Sequence, residues 1–209
     1  GFFGNETLSG QTPIAPSAID GIAEGMRKEM TTEDIQKVTA AFATAARRAK
    51  IAGFDGVQIH AAHGYLLSEF ISPMFNHRTD EYGGAIENRV RLPLAVLQAI
   101  RDAFVGDYPI LIKLNCKEFV DQGLQPKEFV QVGKMLADAG IDAIEISGGL
   151  PVSPKTRPSQ LGINKEEKEA YFQEEARALR KETDVTLILV GGNRSFHVAQ
   201  GLVAEGVAD

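Results

Sequence analysis

"AGFDG", residues 52–56, closes one segment of the chain and opens the next. Upstream of it, Ile35, Val38, Phe42, Ala45 and Ala49 recur at helical spacing, and Thr31 with Asp34 makes a capping-box pattern at the head of the run. Gly53 ends that helix, because glycine takes the left-handed conformation of a helix cap without a steric penalty. Downstream, "DGVQIHA" (55–61) reads as a short strand. The device recurs as "AGIDA" (139–143) and "EGVAD" (205–209), each again after a helical run, and the former leads directly into "DAIEISG" (142–148), a second strand.

The rest of the chain falls into place around these repeats. "YPILIKLN" (108–115) is a near-continuous apolar strand, and "VTLILVGG" (185–192) is another. Val90, Leu94, Leu97, Ile100 and Phe104 predict a helix bent near its start by Pro93. Pro126 suits the first turn of a helix whose face is Phe129, Val132, Leu136 and Ala139. Further helices are expected around 166–182 and 195–205, whereas residues 1–30 read as loop, broken by Pro13 and Pro16. Strands alternating with helices predict a parallel sheet covered on both sides. Four full βα units are present, where a (β/α)8 TIM barrel needs eight strands over about 250 residues. The pattern by itself fits either an incomplete piece of such a barrel or an open sheet.

Composition narrows the function. The chain has 209 residues, 44% hydrophobic and 24% charged, the balance of a globular protein and not of a disordered one. It contains no apolar run of about 18 residues and no N-terminal basic-then-apolar signal pattern. A net charge of −6 argues against nucleic acid or an anionic membrane as the main partner. A small-molecule substrate is expected instead, with self-association left open. Cys116 is the single cysteine, so no internal disulfide can form, which fits a reducing, cytoplasmic setting.

Chemistry-bearing residues cluster at strand exits, where parallel α/β folds gather function. His60 ends the strand 55–61, and His63 and Tyr65 follow within the next loop. A neutral imidazole donates one N–H, so two of them can grip a single substrate oxygen. A nearby phenol can then protonate a developing carbanion. Such a trio would act on an unsaturated carbonyl or nitro compound, given an outside source of hydride. The plainer alternative is that these histidines only satisfy backbone groups. A zinc reading of HxxH with His77 or Glu69 as third ligand lacks a diagnostic spacing, so no metal is expected. Lys113 interrupts an apolar strand. It could be a Schiff-base amine, a cation facing an anionic cofactor, or a lysine reaching for solvent. Gly191, Gly192 and Asn193 sit between a strand and a helix, where backbone N–H groups and the helix start can hold a phosphate.

"HAAHGYL" (60–66), "SPMFNHRTDEYGG" (72–84) and "ENR" (87–89), supported by "PSAI", "MTTEDI", "DAIEISGG" and "LILVGGNRS", closely resemble the Old Yellow Enzyme family of FMN-dependent NAD(P)H oxidoreductases. The resemblance spans most of residues 10–209 and implies a (β/α)8 barrel with FMN at its carboxyl face. It implies that His60 and His63 bind the substrate oxygen and that Tyr65 is the proton donor. It places Lys113 where many members carry an arginine beside the flavin pyrimidine edge, and Gly191, Gly192 and Asn193 where the FMN phosphate is held. The implied cycle passes hydride from NAD(P)H through FMN to an activated alkene such as an enone or nitroalkene. The family's first strands and its last strand, with a Gly-Arg pair that completes the phosphate site, have no counterpart. Residues 1–209 are therefore expected to form a partial FMN-binding barrel domain, and this segment alone is expected to bind FMN weakly and to be inactive. The rival readings are a Schiff-base lyase using Lys113 and an inactive half-barrel. The loop 150–165 is expected to shape substrate choice.

Overall fold

The computed structural model describes residues 1–209 apart from residues 5, 20, 22–24 and 154–157, so the loop 150–165 lies partly outside the described residues. The first thirty residues are mostly loop, but they also hold a short helix, α1 (Glu6–Ser9), and two strands, β1 (Ile14–Ala15) and β2 (Lys28–Glu29), paired in parallel. Helix α2 (Thr32–Ile51) begins at the expected capping box: the Asp34 N–H donates to Thr31 Oγ1 at 3.1 Å and the Thr31 N–H donates back to the Asp34 carboxylate at 2.9 Å. Each repeat glycine takes a positive φ after its helix, 90° at Gly53, 83° at Gly140 and 67° at Gly206.

Four strands follow in order across one parallel sheet: β3 (Val57–Ala61), β4 (Ile110–Asn115), β5 (Ala143–Ser147) and β6 (Thr186–Leu189). Consecutive parallel strands joined by right-handed crossovers must place every connecting helix on the same side. That geometry corrects the expectation of a sheet covered on both faces. Ile59, Ile112, Leu114, Ile144, Ile146 and Leu187 point to the helices and are buried in the main core with Ile35, Val96, Ile100, Phe129, Val132 and Leu179. The other face is mixed, with Leu111 and Ala143 beside Gln58 and Thr186 in one layer. His60, Lys113, Glu145 and Ile188 lie side by side in one register layer across the four strands.

Two helix predictions shift. Beyond α3 (Leu66–Ile71), the segment around Pro93 is two helices, α4 (Ile86–Arg89) and α5 (Arg91–Asp102), broken at Val90. Pro93 lies in the first turn of α5, where its missing N–H costs no hydrogen bond within that helix. Helix α6 (Pro126–Asp138) starts at Pro126 as expected. The region 166–182 splits into a 3-10 turn (Glu166–Lys168) and α7 (Gln173–Arg180). Between them Glu169 and Tyr171 bond to the loop after β6, and Ala170 takes φ 49°, so the chain there is tethered instead of helical. Helix α8 (Phe196–Ala204) closes the series. No helix among the described residues is long and apolar enough to cross a membrane.

The loops at the carboxyl end are tied down by a buried arginine. Arg89, with 5% of its side chain exposed, donates to Gly84 O at 3.0 Å, to Ile71 O and to Glu128. It thus joins the end of α3, the loop before α4 and the first turn of α6. Arg89→Ala would strand the Glu128 carboxylate and two carbonyls, an imbalance that costs on the order of 3 kcal/mol or more. We expect a correspondingly lower urea midpoint for Arg89→Ala, and a smaller loss for Arg89→Lys, which keeps the charge but not the three-way fork.

Candidate active site

The exit of β3 is built to turn sharply. His63 and Gly64 take φ 60° and 75° in succession, and Tyr65 then becomes the N-cap of α3. Glycine is required at 64 twice over: the positive φ disfavours a side chain, and a Cβ there would come within 2.8 Å of the Phe3 ring. His63 has no such licence, since a left-handed non-glycine residue is strained unless its surroundings fix it. The fixing group is Asn115 at the end of β4, whose Oδ1 accepts the His63 N–H at 3.0 Å. The Asn115 amide is itself held at 3.4 Å from Ser68 Oγ, Glu118 Oε1 and Gly149 O.

This turn brings three rings together. His60 and His63 meet edge-on with centroids 5.3 Å apart, and the Tyr65 ring lies 4.8 Å from His60. Tyr65 is 55% exposed, and with His60, Gly64, Phe3 and Phe42 it borders a cavity of about 420 Å³. His63 is seated deeper: its Nε2 lies 2.7 Å from Ser147 Oγ at the end of β5. Burial, then the neighbouring Lys113 ammonium and the His60 ring, hold His63 down to a pKa of about 4, against an opposing pull from Glu145. His60 is also held below the ordinary imidazole value, by partial burial first and Lys113 second. Both rings are therefore neutral donors at pH 7.

Lys113 occupies the same register layer, and its ammonium is paired with the Glu145 carboxylate. Gln58 donates to the other oxygen of Glu145 at 2.8 Å. Burial alone would raise the Glu145 carboxyl, but the hydrogen bonds from Lys113 and Gln58 outweigh it and the pKa is lowered. The lysine amine is thus engaged by a carboxylate and is not presented as a free nucleophile. Glu69, weighed as a metal ligand, is buried and one of its oxygens accepts the Phe2 N–H; the backbone N–H of His77 donates to Ser17 Oγ. Cys116 is buried, which pushes its thiol pKa up and keeps it inert.

Gly191, Gly192 and Asn193 lie at the carboxyl end of β6, on the same rim of the sheet but three strands from β3. Gly191 and Gly192 take φ 129° and 76°. The Glu169 carboxylate accepts the N–H groups of Arg194 and Ser195 at 2.9 Å each, so the start of α8 already holds an anion of the protein's own. The N–H groups of Gly191, Gly192 and Asn193 meet no acceptor among the described residues. Those three donors suit a phosphate, and the Lys113 ammonium suits a flavin ring that gains negative charge on reduction. Sequence reading missed Asn115, Ser147, Glu145 and Gln58. The strand period of two was the available signal: Asn115 and Ser147 stand two residues beyond Lys113 and Glu145 on the same face.

A family model described as the NADH:flavin oxidoreductase / NADH oxidase family matches residues 4–209. The chain is 37% identical over 213 residues to an NADH oxidase of Thermoanaerobacter brockii, covering 99% of this chain and 32% of that protein. It is 38% identical over 198 residues to an NADPH dehydrogenase of a Geobacillus species (strain WCH70), covering 94% of this chain and 55% of that protein. Its fold superposes on the old yellow enzyme homologue from Zymomonas mobilis with a TM-score of 0.79 at 31% identity, covering 100% of this chain and 59% of that chain. The chain therefore spans between 32% and 59% of the length of these relatives.

Because the folded pKa of His63 lies below its ordinary value of 6.5, the unfolded chain takes up the proton first as the pH falls. Its contribution to stability is complete above pH 6.5 and is lost as the pH drops toward about 4. An NMR titration should place the His63 midpoint near 4, and His63→Gln should remove part of the acid sensitivity in this window. A midpoint near that of free imidazole would mean that the ring is not seated against Ser147.

Proposed function

The chain belongs to the NADH:flavin oxidoreductase / NADH oxidase family, and from that premise we propose that it carries the substrate-binding and protonating half of an FMN-dependent ene-reductase, with NAD(P)H as reductant. The observation that carries the proposal is the cluster of the His60, His63 and Tyr65 rings at the exit of β3, with His60 and Tyr65 bordering the cavity there. FMN, when bound, supplies hydride transfer between the nicotinamide and the alkene. Lys113 would face its pyrimidine edge, and the N–H groups of Gly191, Gly192 and Asn193 would hold its phosphate.

The chain's own residues do the remaining work. Neutral His60 and His63 each offer an N–H to the carbonyl or nitro oxygen of the substrate. That draws electron density from the conjugated C=C bond and makes its β-carbon electron-poor. Hydride arriving at the β-carbon leaves charge on the α-carbon and the oxygen. The two imidazoles stabilise the oxygen, and the Tyr65 phenol delivers a proton to the α-carbon, completing the net addition of H2. Because both rings sit below the ordinary imidazole range, they remain hydrogen-bond donors of fixed charge across neutral pH. A Schiff-base lyase at Lys113 finds no support in the geometry, since the amine is tied to Glu145. The single buried thiol suits a cytoplasmic setting.

Two substitutions separate the roles. In the FMN-loaded full-length protein, Tyr65→Phe should leave the reduction of FMN by NAD(P)H unchanged and slow alkene reduction by roughly 100-fold or more, the worth of a general acid. Equal slowing of both half-reactions, followed by stopped flow, would remove Tyr65 from the proton-donor role. His60→Ala should weaken binding of a phenol such as 4-hydroxybenzaldehyde by about tenfold, the loss of one good hydrogen bond. Unaltered phenol affinity would move the oxygen site elsewhere.

A further inference from the structure

Ser147 is the register partner of Asn115 on the neighbouring strand, so the two residues that hold His63 come from adjacent positions at the ends of β5 and β4. Asn115 takes the backbone N–H, and Ser147 meets the ring at Nε2, 2.7 Å away. Both are buried, with 2% and 1% of their surface exposed. The Ser147 hydroxyl has no other hydrogen-bond partner among the described residues, and neither has His63 Nδ1. With Nε2 occupied by protein, Nδ1 is the one ring nitrogen free to meet a ligand.

A neutral imidazole carries a single proton, and its position decides whether the free nitrogen donates or accepts. A hydroxyl can play either part, so the 2.7 Å contact is compatible with two tautomers. Only one of them works with the proposed function, on which this inference rests: a lone pair on Nδ1 would repel a substrate oxygen, whereas Nδ1–H would bind it. We infer that Ser147 is a positioning residue which donates its Oγ–H to His63 Nε2 and thereby fixes the ring as the Nδ1–H tautomer. Burial disfavours the charged ring, so that protonating both nitrogens does not offer a way round the choice.

The test is a long-range proton–nitrogen NMR correlation on the protein labelled with 15N-histidine, with His63 assigned by the loss of its signals in His63→Gln. The wild type should show the Nδ1–H pattern. Ser147→Ala should convert it to a mixture of tautomers or to the Nε2–H form, and Ser147→Thr, which keeps the hydroxyl, should restore it. Affinity for 4-hydroxybenzaldehyde should fall about tenfold in Ser147→Ala and recover in Ser147→Thr. A bystander serine in the core would change stability without moving the tautomer. An Nε2–H pattern in the wild type overturns the inference by itself, even if Ser147→Ala fails to fold, and so does a Ser147→Ala spectrum identical to the wild type. A wild-type protein that shows the Nδ1–H form, loses it in Ser147→Ala and yet binds no phenol would uphold the role of Ser147 and sink the oxygen-site reading instead.

Discussion

The register that sets His60 beside Lys113 and Lys113 beside Glu145 governs the chemistry of the whole sheet. In parallel strands, residues paired in register point to the same face, and shifting one strand by one residue would send its polar set into the helix-covered core. The apolar alternates Ile59, Ile112, Ile144 and Leu187 lock that register by burial. The packing of the covered face therefore aims His60, Lys113 and Glu145 at the open one. Structure and site are specified by the same alternation, read on its two sides.

What was legible in the sequence follows from local rules. The capping box at Thr31 and Asp34, the proline that opens α6 and the glycines that end each helix depend on a few neighbouring residues, and the structure places them as read. The repeat of helix, glycine and strand gave the parallel sheet. What was not legible depends on distant partners. The helix expected over 166–182 gives way because Glu169 and Tyr171 bond to residues beyond β6. The uncovered face is a consequence of strand order, which periodicity does not report. At the site, the tight cluster of His60, His63 and Tyr65 within one loop made it visible. Asn115 and Ser147 were hidden because they meet His63 only through pairing of strands 52 and 84 residues away.

The open face also has to solve an electrostatic problem. A lone ammonium at Lys113 would be costly to hold half-buried, and would depress both imidazoles further. Glu145 answers it, and Gln58 completes the hydrogen bonding of the carboxylate, the condition under which such a pair can be tolerated. The layer then carries one positive and one negative charge beside two neutral rings. His60 and His63 remain uncharged donors there chiefly because burial disfavours the imidazolium form, and next because the Lys113 ammonium outweighs the opposing pull of Glu145. The strain at His63 belongs to the same design: a left-handed histidine costs stability, and it persists because Asn115 and Ser147 hold its backbone and its ring from two adjacent strands. A turn that relaxed this residue into ordinary backbone geometry would break both of those contacts and take the ring away from His60, so that the two donors no longer act together on one oxygen.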